Sequence, residues 1–328
     1  MSRLQIMKER RQILLPAIIG GALLLAFPLF GNNYYIHVAN IIFLNIVLAT
    51  SYRVLYVTGL GSFCHVTFYS IGAYTSALLT VKMGLPFGVG FLAGGLLAAG
   101  VAAILGLVAV KTRGAYFFMI TFALFSVTNI IAIHWKDLTG GYTGLVSIPG
   151  IMGIGGVIPN YYMIMAFTAG MVFVLYRLDR SRFGQELIAI GDSDILSEAI
   201  GINVFRYRVL AFSIGALIAG FAGSMYAHYQ TFINPLCFTM FSTIYIIVWC
   251  VVGGYRKLWG PVVGAVIMTV LSEALHFSAE LQAILYSIIL LIFVMLMPRG
   301  VVGLVDDLRT KLRRRRQIAS AISLGRDR

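Results

Sequence analysis

The chain has 328 residues, of which 59% are hydrophobic and only 11% are charged, and its mean hydropathy is +0.90. Soluble globular domains carry about one quarter charged residues, so this composition excludes a soluble fold and indicates a membrane protein. The formal net charge is +13, but the basic residues lie in short segments beside apolar runs, which argues against nucleic acid as a partner.

Ten apolar runs follow one another along the chain, and most are long enough to cross a bilayer as a helix. They cover residues 13–30, 36–56, 62–81, 87–110, 115–133, 161–176, 209–229, 238–252, 260–277 and 281–297. Because lipid offers the backbone no hydrogen-bond partners, and the runs lack the alternation of barrel strands, helices are expected. The sequence therefore predicts an all-α polytopic membrane protein of about ten transmembrane helices, with its membrane domain at residues 13–298.

The basic residues predict the orientation of these spans, because Lys and Arg accumulate in cytoplasmic segments. With the N-terminus inside, only Lys82 and Lys136 fall outside, and 23 of the 25 basic residues are cytoplasmic. Both termini are therefore expected in the cytoplasm, as a segment at residues 1–12 and a basic tail at 299–328. The tail carries consecutive arginines at residues 313–316, close to the last span, and is predicted to contact anionic lipid.

Two spans carry a stripe of small residues at four-residue spacing. In the fourth span the stripe is Gly90, Gly94, Ala98, Ala102 and Gly106. In the seventh span it is Ala211, Gly215, Ala219, Gly223 and Ala227. Small residues let helix backbones approach closely in lipid, so both stripes predict tight helix packing, within this chain or against a second membrane subunit.

Polar residues inside the spans are candidates for a solute pathway. They are Asn45, His65, Thr121, Asn129, Ser242, Tyr245 and Glu273. Each of them has an alternative role as a side chain that is hydrogen-bonded to a neighbouring helix. Glu273 is the acidic residue that lies well inside a span, whereas proton- or sodium-coupled carriers place several ionisable groups near the midplane. The pattern therefore favours an external energy source over ion coupling.

Motifs for enzyme chemistry or nucleotide binding are absent from the sequence. It contains no G-x-x-x-x-G-K-[ST] phosphate loop, no H-E-x-x-H and no G-x-S-x-G elbow. Its five histidines are scattered over different spans. Its three cysteines, Cys64, Cys237 and Cys250, are an odd number and cannot all pair as disulfides within the chain. We expect no catalytic residues, no metal site and no cofactor in this chain.

The segment 177–208 concentrates charge between two long apolar runs. Its charged residues are Arg177, Asp179, Arg180, Arg182, Glu186, Asp192, Asp194, Glu198, Arg206 and Arg208. A membrane protein that places so many polar residues in one intracellular loop is expected to use that loop to contact a soluble partner.

Several motifs in this loop and beyond it resemble one known family. In the loop they are FGQELIAIGD at residues 183–192 and EAIGIN at 198–203. Elsewhere they are IGAY at 71–74, RGAYF at 113–117, LTGG at 138–141 and LWGPVVGA at 258–265. In this order they resemble the permeases of branched-chain amino acid ABC transporters, of the LivM type, over almost the whole chain.

This resemblance implies an importer-type ABC permease in the bacterial inner membrane. It implies a second permease of the LivH type, two ATPase subunits that use ATP and magnesium on the inside, and a periplasmic substrate-binding protein. A coupling element at 184–203, together with Arg182, would dock on the ATPase. Its implied residues are Arg182, Gly184, Glu186, Leu187, Ile190, Asp192, Glu198, Gly201 and Asn203. Apolar side chains would fill a cleft of the ATPase, namely Leu187, Ile188, Ile190, Ile195, Leu196 and Ile200.

The sequence departs from the family pattern after Gly253 and Gly254, where Tyr255, Arg256 and Lys257 stand in place of a further glycine. This departure leaves the identity of the transported solute undetermined. Branched-chain amino acids are the first expectation, and urea, amides and aromatic acids are alternatives within the same type of importer. An ion-coupled or facilitative carrier that works alone is the alternative of another class.

Overall fold

The structure is a computed structural model, and it describes residues 24–28, 31–153, 156–274, 284, 287, 288, 291 and 300–304. Over these residues the secondary structure is helical, apart from an isolated antiparallel bridge between Leu145 and Ile233. The α-helices are α1 Asn33–Tyr56, α2 His65–Met83, α3 Phe87–Ala109, α4 Ala115–His134, α5 Lys136–Thr139, α6 Val157–Asp179, α7 Arg182–Asp192, α8 Asp194–Ala199, α9 Val204–Gln230, α10 Met240–Gly253 and α11 Trp259–Ala274. Short 3₁₀ turns lie at Gly141–Thr143, Ile151–Gly153 and Pro235–Cys237.

The second to ninth predicted spans correspond to α1, α2, α3, α4, α6, α9, α10 and α11, so the all-helical prediction is confirmed for them. Among the described residues, six segments are long and apolar enough to cross a membrane, and Trp259–Ala274 is apolar but shorter. Most of the predicted first span and most of the tenth lie outside the described residues, as do residues 1–12 and most of 299–328. Ten crossings and two cytoplasmic termini therefore stay predictions.

One helix boundary differs from the hydropathy-based prediction for a clear reason. Helix α9 begins at Val204 rather than at residue 209, because Asn203 caps it by accepting a hydrogen bond from the backbone N–H of Arg206 at 3.0 Å. The first turn carries Arg206 and Arg208, which lower its hydropathy without interrupting the helix. The helix therefore projects beyond the apolar run at the end that carries α7 and α8.

The centre of the bundle is formed by α2, α3 and α9, which pack closely on one another. All five stripe residues of α3 and all five of α9 are buried. A Cβ atom at Gly94 would lie 2.5 Å from Ser224 Oγ and 2.7 Å from the carbonyl oxygen of Gly72. The predicted packing stripes are thus confirmed, and they join helices of this chain to each other.

Helix α1 forms the second framework of the fold. It packs against α6, α9, α10 and α11, and its buried side chains run along most of its length. Helices α10 and α11 form an antiparallel pair that closes on Gly253, Gly260 and Gly264, where the two backbones touch. A cavity therefore lies between α1, α10 and α11, and the junction with α7 lies at one end of these three helices.

Candidate functional site

The predicted coupling element folds as two short helices, α7 and α8, at one end of the bundle. Ser181 caps α7 by accepting a hydrogen bond from the Gly184 N–H at 3.3 Å. Ser193 caps α8 in the same way, from the Leu196 N–H at 3.3 Å. Because Ser193 has extended backbone angles (φ −162°, ψ 114°), the chain breaks there and starts a new helix. The single element predicted from the sequence is thus a pair of helices.

The inner face of α7 is buried within this chain. Leu187 and Ile190 are 3% and 1% exposed, and they lie three residues apart, on the same helix face as Gly184. A Cβ atom at Gly184 would lie 2.4 Å from the carbonyl oxygen of Leu178. The expectation that Leu187 and Ile190 fill a cleft of a partner is therefore wrong, because both side chains already pack against the bundle.

The outer surface of this helix pair is apolar at α8. Ile195, Leu196 and Ile200 are 78%, 65% and 69% exposed, and Glu198 beside them is also exposed. A cluster of exposed large apolar residues next to charged ones is typical of a protein interaction site. We call these three residues the α8 patch.

The other predicted residues of the loop shape it or border it. The ring of Tyr207 in α9 lies near Glu186 and stacks on Phe183 with centroids 5.4 Å apart. Asp192 pairs with Arg256 at 3.3 Å on the surface, and Arg182 is exposed.

The exit from α8 depends on two more of the predicted residues. Gly201 has φ +88°, which favours glycine, and it reverses the chain between α8 and α9. Asn203 then caps α9. These two residues therefore set the geometry of the loop, and both are exposed.

Two buried arginines, neither of them among the site residues predicted from the sequence, hold the helix pair in place. Arg53 at the end of α1 is 4% exposed and donates to Asp179 Oδ1 at 2.8 Å. Arg208 in the first turns of α9 is 5% exposed and donates to Asp194 Oδ1 at 2.7 Å. The available signal was their position at the edge of apolar runs, where a charged side chain requires a partner.

A cavity of about 260 Å³ lies between α1, α10 and α11, with contributions from α2 and α9. Four of the predicted pathway residues line it: Asn45, Ser242, Tyr245 and Glu273. The remaining lining residues are Ile41, Leu48, Val66, Tyr69, Tyr226, Cys237, Ile246, Trp249, Met268, Thr269 and Ser272. The sequence-based selection thus identified several polar groups that one cavity shares.

The polar groups of this cavity lie at two depths. Asn45 Nδ2 donates to Thr269 Oγ1 at 3.1 Å, between the middle of α1 and α11. The Tyr34 hydroxyl at the start of α1 donates to the Glu273 carboxylate. The cavity thus combines apolar side chains with several polar groups, as sites that bind small organic molecules do.

The other three predicted pathway residues lie outside the cavity. His65 Nε2 and Ser51 Oγ are hydrogen-bonded at 2.9 Å between α2 and α1. Thr121 Oγ1 accepts the N–H of Phe63 at 3.0 Å, and Asn129 Nδ2 donates to the Phe238 carbonyl at 3.3 Å. Their contacts correspond to the alternative role, in which a polar side chain joins neighbouring segments.

No group of three or more His, Cys, Asp or Glu side chains within the described residues is arranged to hold a metal ion.

A bundle of membrane-crossing helices, a cavity among them and an exposed helix pair at one end define a multi-pass membrane permease. The family model for the permease component of branched-chain amino acid transport systems matches residues 34–296. The chain therefore belongs to this family and is a multi-pass protein of the bacterial inner membrane.

Individual relatives agree with this assignment. The chain is 25% identical to the high-affinity branched-chain amino acid transport system permease protein LivM of Escherichia coli K12, over 89% of this chain and 75% of that protein. It is 28% identical to LivH of the same organism over 42% and 44% of the two chains. It is 23% identical to the ribose import permease protein RbsC of that organism over 69% and 70%.

Proposed function

We propose that this chain is a permease subunit of an ABC importer that passes branched-chain amino acids across the inner membrane. A periplasmic binding protein delivers the solute, and separate ATPase subunits, which bind ATP and magnesium, supply the energy. The observation that carries the proposal is the α8 patch, which presents Ile195, Leu196 and Ile200 outside the bundle. The family membership adds that permeases of this kind work as components of a transport system.

The ATPase side of the molecule is assigned from charge. Arg177, Arg180 and Arg182 lie at the end of the bundle that carries α7 and α8, and basic residues accumulate on the cytoplasmic side. The α8 patch then faces the cytoplasm, where its apolar side chains would enter a cleft of an ATPase and Glu198 would lie at the rim. The same orientation places both termini inside, after about ten crossings, and brings the basic tail to anionic lipid.

The second membrane subunit is proposed to be a permease of the LivH type. This chain is similar to LivM over most of its length and to LivH over part of it, which supports a channel built from two homologous subunits. The cavity between α1, α10 and α11 would form this subunit's share of the pathway. Its volume of about 260 Å³ is adequate for a small amino acid.

The choice of solute depends on the binding protein, because that protein determines which molecules are delivered to the cavity. The names of LivM and LivH refer to branched-chain amino acids, and that of RbsC refers to ribose. We assign branched-chain amino acids to this chain because LivM matches over 89% of it. Urea, amides and aromatic acids are retained as competing solutes in the test below.

The test is reconstitution of the chain with its partner permease and ATPases in lipid discs. ATP hydrolysis is measured with and without a binding protein loaded with leucine, isoleucine, valine, urea or benzoate. Stimulation by one loaded protein establishes the importer and names its solute. If no ATPase associates, the proposal is wrong, and transport by the isolated chain in liposomes without nucleotide becomes the explanation.

A matched pair of variants locates the ATPase contact. Leu196→Asp is expected to abolish ATPase association, because it places a charge in the α8 patch. Leu236→Asp is the control, since Leu236 is 62% exposed and lies beyond the other end of α9. That helix has 27 residues, so the two sites are about 40 Å apart. Equal association by both variants would contradict the assignment of the patch.

A further inference from the structure

Arg53 connects three parts of the molecule at the inner end of the bundle. Its Nη1 donates to Asp179 Oδ1 at 2.8 Å, at the point where α6 ends before α7. Its Nε donates to the carbonyl oxygen of Tyr255 at 2.6 Å, and its Nη2 to that of Arg256 at 3.0 Å. Tyr255 and Arg256 belong to the connection between α10 and α11. One planar guanidinium therefore joins α1, α6 and the α10–α11 connection.

Arg208 makes the corresponding connection for α8. It donates to Asp194 Oδ1 at 2.7 Å and to the carbonyl oxygen of Thr58 at 3.0 Å. Asp194 is the first residue of α8, and Thr58 follows α1 in the connection to α2. Arg113 approaches the other oxygen of Asp194 at 3.4 Å but is 60% exposed, so Arg208 is the buried partner.

Elements that carry or contact these arginines also line the cavity, namely α1, α9 and the α10–α11 pair. Arg53 and Asn45 are eight residues apart on α1, which corresponds to about 12 Å along the helix. The α10–α11 connection leads on one side to Trp249 and on the other to Met268, and both line the cavity. Through these contacts, the end of α6 just before α7 and the first residue of α8 are connected to elements that reach the walls of the cavity.

We propose that Arg53 and Arg208 are positioning residues that couple the movement of α7 and α8 to the walls of the cavity, an inference that rests on the proposed function as an ATP-driven importer. Partly buried ion pairs, each with a buried arginine, suit this role because the dielectric around them is lower than in water, which makes separation of the charges costly. Exposed pairs on the same surface, such as Arg256 with Asp192, contribute little. The proposal thus distinguishes the two pairs that contain a buried arginine from their exposed neighbour.

The test uses the complete complex and separates coupling from folding. In the double variant Arg53→Met with Asp179→Leu, both charges are replaced by apolar side chains, a change that often leaves a buried site as stable as before. We expect normal assembly and ATP hydrolysis, with a fall of about fivefold or more in solute transported per ATP hydrolysed. Arg208→Met with Asp194→Leu is expected to behave in the same way. Arg256→Gln is the control, because that side chain is 75% exposed.

Each outcome of this experiment decides the proposal. An assembled double variant that keeps the wild-type ratio of transport to hydrolysis overturns it. If neither double variant assembles, the arginines serve folding alone, and the proposal is overturned in favour of that role. The measurement on the wild-type complex tests the importer assignment separately from the variants. If that complex shows no ATP-dependent transport, the importer assignment itself is wrong.

Discussion

Gly191 of α7 lies so close to Val57 that a Cβ atom at residue 191 would come within 1.9 Å of the Val57 carbonyl oxygen. Val57 is the residue directly after α1, at the start of the connection to α2. The backbone of the coupling segment therefore rests on the backbone of the membrane domain, without a side chain between them. A contact of this kind is rigid, since no rotamer change relieves it.

Gly191→Ala is expected to push α7 away from the α1–α2 connection. A methyl group at 1.9 Å from a backbone oxygen forces the backbone to move, and overpacking of this type costs about 1–3 kcal/mol. The measurement is the melting temperature of the purified chain in detergent, together with proteolysis of residues 182–203. Gly170→Ala in α6 is the control, because nothing lies within 4 Å of that position; equal melting temperatures for the two variants would contradict the contact.

The two faces of the helix pair predict opposite phenotypes. Leu187→Ala removes a side chain that is 3% exposed and is expected to destabilise the fold by about 2–5 kcal/mol. Ile195→Ala removes one that is 78% exposed and is expected to leave the melting temperature unchanged while weakening ATPase association. Thermal unfolding and a pull-down of the ATPase subunits measure the two effects. Loss of stability in Ile195→Ala would show that its side chain is not a free docking group.

The stripe in α3 predicts a contrast within one helix. Gly94→Leu is expected to prevent accumulation of folded protein, because even a Cβ atom there would lie 2.7 Å from the Gly72 carbonyl oxygen. Gly100→Leu in the same helix is expected to be tolerated, since nothing lies within 4 Å of Gly100. Size-exclusion profiles of detergent extracts compare the two. A monodisperse Gly94→Leu peak at wild-type yield would refute the packing role.

Glu273→Gln tests the energy source. In an ATP-driven importer the substitution is expected to change the apparent affinity for solute, because Glu273 lines the cavity and accepts a hydrogen bond from Tyr34. Uptake into vesicles should then stay dependent on ATP and resistant to a protonophore. An ion-coupled carrier would instead lose its gradient-driven uptake on this substitution. Uptake with and without ATP and protonophore separates the two mechanisms.

The sequence predicted best where one local pattern determines the outcome. Apolar runs predicted the eight long helices α1, α2, α3, α4, α6, α9, α10 and α11, because burial of the backbone in lipid requires helices whatever surrounds them. Small residues at four-residue spacing predicted the faces on which α3 and α9 pack. The contact role of the loop at 177–208 stays a prediction, and the α8 patch is the exposed apolar part of that loop.

The candidate site was predicted less completely. Asn45 and Glu273 share a cavity, whereas His65 and Thr121 do not, although all are polar residues inside predicted spans. Hydropathy does not distinguish a polar side chain that lines a cavity from one that bonds a neighbouring helix. That difference depends on which helix lies opposite, and contacts of this kind are distant in sequence.

By itself, the sequence determined that this protein is a helical bundle of the membrane and which residues are small, polar or charged. Only the tertiary structure decided that Leu187 faces inward and Ile195 outward, because that choice depends on how α7 rests on Val57. Only the structure paired Arg53 with Asp179, across 126 positions of sequence. Periodicity is a property of one helix, whereas the partner of a buried charge is selected by packing between helices, where an unpaired charge is too costly to remain.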